Sequence, residues 1–208
     1  MDKFQNKYRI PSARLQNWDY GSNGAYFITI CTKNREHYFG EIIDAPPVET
    51  PNLGVSTMQL SEMGQLAEKY WLEIPTHFPF IELGNFVVMP NHTHGILIID
   101  KWNAPSVAYV PPVASVPPVL SVETPKLGVS TTTTKNGGKN DKWKPETIGV
   151  IINQYKRMVT INARKIHIDF NWQSRFHDHI IRNADSFETI QNYITNNPSN
   201  WNNDKFYN

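Results

Sequence analysis

The sequence has little of what would assign it to several common classes of protein. Its 208 residues contain a single cysteine, Cys31, which excludes an internal disulfide and suits a reducing compartment. No apolar run approaches the roughly 20 residues that cross a bilayer, and the first eight residues lack the apolar core of a signal peptide. The formal net charge of +1 is far from the strong basicity that by itself indicates a nucleic-acid partner. We therefore expect a cytoplasmic protein that does not bind membranes, whose basic surface, if any, is local.

Two segments rich in proline and threonine show neither helical nor strand periodicity. They run from about 45 to 57 and from about 102 to 143. Residues 122–131 repeat residues 48–57 at every position except one. A ten-residue copy is too short to be a packing unit, so we interpret both segments as insertions that the chemistry does not need.

The rest of the chain is predicted to form one domain over residues 25–201. An N-terminal arm, 1–24, precedes it, and a short C-terminal tail, 202–208, follows it.

Hydrophobic periodicity predicts strands where β-branched residues alternate and helices where apolar residues recur every three to four positions. The predicted order is a strand at 25–33, a strand or extended segment at 37–43, a helix at 60–74, strands over the apolar runs 86–89 and 96–99, the second beginning near His92 if the histidines belong to it, a helix at 145–167, a strand at 176–182 and a helix at 186–196. Without the second element this is the order β-α-β-β-α-β with a final helix. It predicts an α+β fold, a ferredoxin-like antiparallel sheet with helices packed on one face and a C-terminal helix carrying Tyr193.

Two histidines open the second of the paired strands, in the stretch Met-Pro-Asn-His-Thr-His-Gly-Ile-Leu-Ile. Alternate residues of a strand point to one face, so His92 and His94 are predicted to project side by side. Such a pair is half of a site for a divalent cation. The same two residues also suit an ordinary polar turn, and the pair alone leaves both interpretations open.

The last predicted helix adds two polar groups at the border of its apolar stripe. Tyr193 lies beside that stripe, and Asn197 follows four residues later on the same face. A helix packed over the histidine strand would bring a phenol oxygen and an amide oxygen toward a cation. A cation that polarises a phosphodiester, together with an attacking phenolate, is one chemistry this set permits. A tyrosine at the core edge and a helix C-cap before Pro198 are the structural alternatives.

Three motifs in order resemble the single-tyrosine transposases of the HUH nuclease superfamily, and most of all the branch called REP-associated tyrosine transposases. They are the histidine stretch above, then Trp-Gln-Ser-Arg-Phe-His-Asp-His-Ile-Ile-Arg, then Tyr-Ile-Thr-Asn-Asn-Pro. The resemblance implies a metal-dependent endonuclease and strand transferase that acts on single-stranded DNA next to hairpins. It implies that His92 and His94 bind the metal, Mg²⁺ or Mn²⁺, and that Tyr193 is the nucleophile that forms a 5′-phosphotyrosine. Insertion-sequence relatives take a glutamine as third ligand one helical turn after the tyrosine, a position held here by Asn197.

Several assignments stay open at this stage. Asn197 is one methylene shorter than glutamine and precedes a proline, so water, Asn196 or His179 are alternative third ligands. Tyr155 is a competing nucleophile, although its position in an apolar helical stripe favours the core. Four cations are candidates for phosphate contact, namely Lys156, Arg157, Arg175 and Arg182.

Two other functions compete with the enzyme. One is a DNA-hairpin-binding protein that keeps the fold without the chemistry, and the other is an α+β domain whose histidines and tyrosine are structural. For the enzyme and for the hairpin-binding protein, the expected partner is single-stranded or hairpin DNA with palindromic repeats. A homodimer, in which the last helix completes the partner's site, also remains open.

Overall fold

The computed structural model describes residue 15, residues 17–43, 56–102 and 146–207, and the backbone of two short paired strands, β1 (Lys3–Phe4) and β2 (Lys7–Tyr8). Most of both predicted insertions and most of the N-terminal arm lie outside the described residues. The described part of the arm packs on the domain, where Trp18 Nε1 donates to Tyr26 Oη at 3.2 Å.

One four-stranded antiparallel sheet organises the domain. Its strands are β3 (Gly24–Cys31), β6 (Ile81–Met89), β7 (His92–Ile99) and β8 (His177–Ile181), and their order across the sheet is β6-β7-β3-β8. The two central strands are β3 and β7, which are the first and third strands of this sheet along the chain, and this is the ferredoxin-like arrangement. The predicted fold class is confirmed.

Two helices cover one face of this sheet. They are α1 (Glu62–Leu72), capped by the hydroxyl of Ser61, and α3 (Ile148–Ile166), and a short α2 (Ile74–His77) follows the first. Alternate residues of β3, Tyr26, Ile28 and Ile30, join both helices in the main core. Among the described residues, no helix is long and apolar enough to cross a membrane.

The last helix, α4 (Ala184–Thr195), lies on the opposite face. Its apolar residues pack with Ile96 and Ile181 in a second, smaller cluster. The helix begins earlier than predicted because Asn183, whose side chain accepts from Ser186 N, is its N-cap. The sheet is therefore covered on one face by α1 and α3 and on the other by α4.

The second predicted element does not join the main sheet. It forms β4 (Gly40–Ile43), which pairs with β5 (Thr57–Leu60) in a separate two-stranded ribbon. The predicted insertion at 45–57 thus connects two strands of this ribbon, and its last residue, Thr57, belongs to β5. A 3₁₀ segment, Pro198–Asn203, follows α4 and leads to the C-terminal residues.

Candidate active site

The two histidines of β7 lie side by side beneath α4. His92 and His94 occupy alternate strand positions, so both rings project to the face that α4 covers. Both residues are fully buried, with 0% and 1% of their surface exposed, and their ring centroids are 4.4 Å apart. Two imidazoles are thereby held together out of solvent.

Hydrogen bonds fix which nitrogen of His92 carries its proton. The amide nitrogen of Asn91 donates to the carbonyl oxygen of Phe206 at 2.9 Å, which orients the amide. Its Oδ1, an acceptor, therefore faces His92 Nδ1 at 2.8 Å, so Nδ1 is the donor. The lone pair of Nε2 is left free, and this buried atom has no hydrogen-bond partner among the described residues.

His94 connects the sheet to the helix above it. Its Nδ1 lies 2.9 Å from the hydroxyl of Thr29, directly opposite on β3. Its Nε2 lies 3.1 Å from Tyr193 Oη. The ring is also stacked on Phe27, with centroids 5.2 Å apart. A ring held on both sides in this way has a fixed orientation, as metal-binding histidines usually do.

The amphipathic pattern of α4 places Tyr193 at the edge of the site. Ile190 and Ile194 face the sheet, so Tyr193 lies at the border between the buried and the exposed side of the helix. Tyr193 is 40% exposed, and its ring meets the edge of Phe27. Its hydroxyl contacts His94 Nε2 and also donates to Asp204 Oδ2 at 3.3 Å. Both contacts lie within one chain.

Asn197 and Asp204 complete the polar cluster. Asn197 is 1% exposed and donates from Nδ2 to Asp204 Oδ2 at 2.9 Å. Its Oδ1 is buried and has no partner in the described part of the chain. Of the two alternative residues named for the third ligand, Asn196 is the exposed C-cap of α4 and His179 is exposed on β8.

Asp204 is the residue that the sequence analysis missed. It lies in the tail at 202–208, where no periodicity exists to assign it a place. The one signal available was its isolation, because it is the only acidic residue after Glu188. The 3₁₀ segment turns the chain back, so that the ligand atoms of His92, His94 and Asp204 all lie within 4.8 Å of one another.

Burial sets the charge of these groups. It lowers the pKa of His92 to about 3, with smaller contributions from Lys205 and Arg35, and it also lowers the pKa of His94. Both imidazoles are therefore neutral at pH 7. Burial, followed by the charge of Asp204, raises the pKa of Tyr193 to about 12, so the phenol keeps its proton in the metal-free chain.

This donor set fits a divalent cation. Two neutral imidazoles and a carboxylate converge, the amide of Asn197 bonds to that carboxylate, and two atoms, His92 Nε2 and Asn197 Oδ1, are buried without partners among the described residues. A buried unpaired acceptor is costly, and a cation relieves that cost. Mixed nitrogen and oxygen ligands suit Mn²⁺ or Mg²⁺, and among the ligands of the cluster there is no thiolate to favour zinc.

The cations nearest the cluster are not those predicted. Arg35 and Lys205 both depress the pKa of His92, and Arg35 Nη1 donates to the carbonyl oxygen of Lys205 at 2.8 Å. Arg35 and its neighbour Asn34 have φ of 59° and 56°, a left-handed pair that is costly for an arginine. The strained turn directs the guanidinium over the ring of Phe206, at 5.2 Å.

The four predicted phosphate contacts lie apart from one another. Lys156 donates to the carbonyl oxygen of Gln173, while Arg157 is exposed on α3. Arg175 and Arg182 are exposed near opposite ends of β8. Seven residues of extended chain span roughly 23 Å, so these two arginines cannot contact the same phosphate.

Tyr155, the competing nucleophile, belongs to the core. It is 2% exposed, and its hydroxyl donates to the carbonyl oxygen of Ala67. It packs edge-on against Trp71, between the helices on the far face of the sheet. The sheet therefore separates Tyr155 from the histidine cluster, which lies on the opposite face.

The C-terminal residues cover the histidines. The ring of Phe206 lies 4.5 Å from that of His92 and 5.7 Å from that of His94. Phe206 N donates to Asp204 Oδ1 at 2.7 Å, so the covering ring and the carboxylate are held as one unit.

Comparisons with known proteins find similar solved structures and a similar sequence. No family model matches the chain. Two solved structures are similar to it: a REP-associated tyrosine transposase bound to a REP hairpin, and a proposed transposase from Deinococcus radiodurans. The first is 16% identical with a TM-score of 0.48, over 97% of this chain and 74% of that one. The second is 11% identical with a TM-score of 0.41, over 89% of this chain and 97% of that one.

A closer likeness is found in sequence. An uncharacterised protein of Haemophilus influenzae is 36% identical over 202 residues, which cover 94% of this chain and 92% of that protein. Identity at this level over nearly the whole of both chains establishes common descent. The chain belongs to the same protein family as this Haemophilus influenzae protein.

Proposed function

We propose that the protein is a metal-dependent endonuclease and strand transferase of the HUH tyrosine transposase type, acting in the cytoplasm on single-stranded DNA beside hairpins. The observation that carries the proposal is the 3.1 Å contact between Tyr193 Oη and His94 Nε2. It joins the phenol to a buried pair of neutral imidazoles, which is the combination that the proposed chemistry needs. The three sequence motifs support the same function.

His92, His94, Asp204 and Asn197 would hold Mg²⁺ or Mn²⁺. The bound ion would polarise a phosphodiester oxygen and stabilise its charge. The free lone pair of His92 Nε2 and the free Oδ1 of Asn197 suit this role because both atoms are buried without partners among the described residues. The ligands come from β7, from the end of α4 and from the tail, so folding assembles the site.

Tyr193 acts as the nucleophile. Its Oη forms a bond to phosphorus, the bond from phosphorus to the 3′-oxygen breaks, and the 3′-oxygen leaves with the electron pair. The proton lost by the phenol is balanced by the one gained at the 3′-hydroxyl. The 5′-phosphotyrosine conserves the bond energy, so a later 3′-hydroxyl can reverse the step and join new ends.

Arg35 and Lys205 are the proposed phosphate contacts nearest the reacting centre, because both already act on His92 electrostatically. A guanidinium offers the paired donors that phosphate oxygens accept. Lys156, Arg157, Arg175 and Arg182 are proposed to contact the more distant backbone, each at a different phosphate.

Formation of a covalent adduct tests the function directly. Single-stranded oligonucleotides that carry the palindromes flanking the gene are incubated with the protein and Mn²⁺, and a denaturation-resistant protein–DNA species is sought. We expect the wild type to form it and Tyr193→Phe not to. Tyr155→Phe is the matched control, since it removes a phenol hydroxyl from the core and should retain the adduct. If Tyr193→Phe forms the adduct and Tyr155→Phe does not, the nucleophile is wrongly assigned.

A second candidate function, a hairpin-binding protein without chemistry, is favoured by one observation. Phe206 lies over both imidazoles in the described structure. A chain that keeps this cover in place would bind DNA without cleaving it. A wild type that shifts hairpin DNA in a gel but forms no adduct would establish this function in place of the first.

A further inference from the structure

A cavity of about 220 Å³ lies beside the histidine cluster. It opens between the β4–β5 ribbon and the 3₁₀ segment at 198–203. Three of its lining residues are sequence neighbours of the proposed ligands: Pro90 precedes His92 by two, Pro198 follows Asn197, and Asn202 precedes Asp204 by two. The cavity and the metal ligands therefore share their supporting backbone.

The described residues that line the cavity are aromatic and polar. His37 and Tyr207 each pack against Trp201, with ring centroids 5.8 and 5.5 Å away, and Trp201 in turn lies 5.9 Å from His92. Glu41 is its one acidic residue, and no lysine or arginine is among the described residues that line it. A phosphate would meet a carboxylate and no compensating charge, so the cavity does not suit the DNA backbone.

A nucleobase suits it better. The exposed Tyr207 ring and the His37 ring offer faces or edges on which a base can stack, as bases do in single-stranded DNA complexes. A carboxylate such as that of Glu41 accepts a hydrogen bond from an exocyclic amino group, as acidic side chains accept from cytosine N4. The volume is large enough for one base.

We propose that this cavity binds one unpaired nucleobase carrying an exocyclic amino group, next to the phosphate that the histidine cluster receives. The inference rests on the proposed function, because it makes the cavity the base-selective part of the same DNA-binding surface. Glu41 selects the amino group, and Tyr207 supplies the stacking surface. Thymine, which presents a carbonyl oxygen where cytosine presents the amino group, is disfavoured by repulsion from the carboxylate.

Binding of two 12-residue homopolymers, dC12 and dT12, tests this without knowledge of the natural target. The probes have the same length and charge and differ at the C4 substituent, at N3, which carries a hydrogen only in thymine, and at the thymine methyl. Fluorescence anisotropy at pH 8 and fixed salt gives the ratio of their dissociation constants for the full chain. We expect dC12 to bind about 5- to 150-fold more tightly than dT12, the range expected for one base-specific contact.

Variants assign the preference to the cavity. Glu41→Gln, which removes the negative charge and replaces one of the two acceptor oxygens by a donor, should bring the ratio close to one, whereas Glu82→Gln, at a matched exposed carboxylate on β6, should leave it unchanged. Tyr207→Leu should weaken both probes by about 5- to 150-fold, and Tyr207→Phe should not. Thermal melting checks that each variant is folded. A wild-type ratio near one, or a ratio unaffected by Glu41→Gln, overturns the proposal.

The adduct assay on wild-type protein separates this inference from the proposed function. Adduct formation together with a ratio that ignores Glu41 would leave the nuclease standing and remove the base site. A ratio that depends on Glu41 without any adduct would establish the base site in a binding protein.

Discussion

Replacing Asp204 by asparagine should remove most of the stabilisation that Mn²⁺ gives to the folded chain. The substitution keeps the size of the side chain and one oxygen to accept from Asn197 and Tyr193, and it gives up the bond from Phe206 N at the chain end, so the fold should survive. It deletes the single negative charge among the four proposed ligands. A ligand that binds only the folded state stabilises it by about 2.7 kcal/mol when its concentration is 100 times its Kd.

The expected size of the effect follows from mass action. For a chain of about 200 residues, 1 kcal/mol moves the melting temperature by roughly 2–4 °C, so the wild type should gain about 5–11 °C. If loss of the carboxylate weakens binding about 100-fold, the stabilisation at the same Mn²⁺ concentration falls to about 0.4 kcal/mol. The melting temperature of Asp204→Asn should then rise by only about 1–2 °C.

Differential scanning fluorimetry across a Mn²⁺ titration measures both shifts. Asp169→Asn is the matched control, because Asp169 is an exposed acid in the loop after α3, outside the cluster. It should keep the wild-type shift. An Asp204→Asn shift equal to that of the wild type would refute the assignment of Asp204 as a ligand. The absence of any shift in the wild type would refute the metal site itself.

Three further predictions concern packing, phosphate contact and reactivity. Gly95→Ala should lower the free energy of unfolding by about 1–3 kcal/mol in urea titrations, because a Cβ there would lie 2.3 Å from Trp71 Cζ2. Arg35→Ala should reduce the slope of log Kd for DNA against log salt by about one, and Arg157→Ala should reduce it no more than that while leaving adduct formation intact. Cys31, which is buried, should react with a thiol reagent far more slowly in the native chain than in denaturant.

Each of these has a result that would contradict it. Unchanged stability of Gly95→Ala would mean that β7 and α1 are not packed as described. An Arg35→Ala variant with the wild-type salt slope and a lower melting temperature would assign Arg35 to holding the C-terminal residues alone. Rapid labelling of native Cys31 would show that β3 is accessible at that end.

The sequence predicted the fold well because the sheet and helices depend on local periodicity. Alternation placed His92 and His94 on one face of β7, and the stripe of α4 placed Tyr193 at its border; both depend on the chain within a few residues. The β-α-β-β-α-β order then left few topologies to consider. The extended segment near Gly40 was harder, because its partner lies beyond an insertion and its pairing is a tertiary choice.

The candidate site was predictable only in part. Strand alternation, the helix stripe and the motif resemblance pointed to four residues, His92, His94, Tyr193 and Asn197. The structure brings these four together in one cluster. Asp204 was not, because a single carboxylate in an aperiodic tail has no local signature, and its place depends on the turn at 198–203. Arg35 was missed for a similar reason, since a left-handed turn between strands cannot be recognised from Asn34 and Arg35 alone.

The amide of Asn91 has a consequence that concerns the protonation of His92. A side-chain amide has two orientations, and the carbonyl oxygen of Phe206 accepts from only one of them, so the chain end selects which ring nitrogen of His92 holds the proton. The accepting group is a backbone carbonyl oxygen, so any residue at position 206 would hold the amide in the same orientation if the chain follows the same path. The tautomer of His92 thus depends on the path of the backbone more than a hundred residues away. Deleting that segment would remove the preference for the proton on Nδ1, whereas substituting the side chain at position 206 would not.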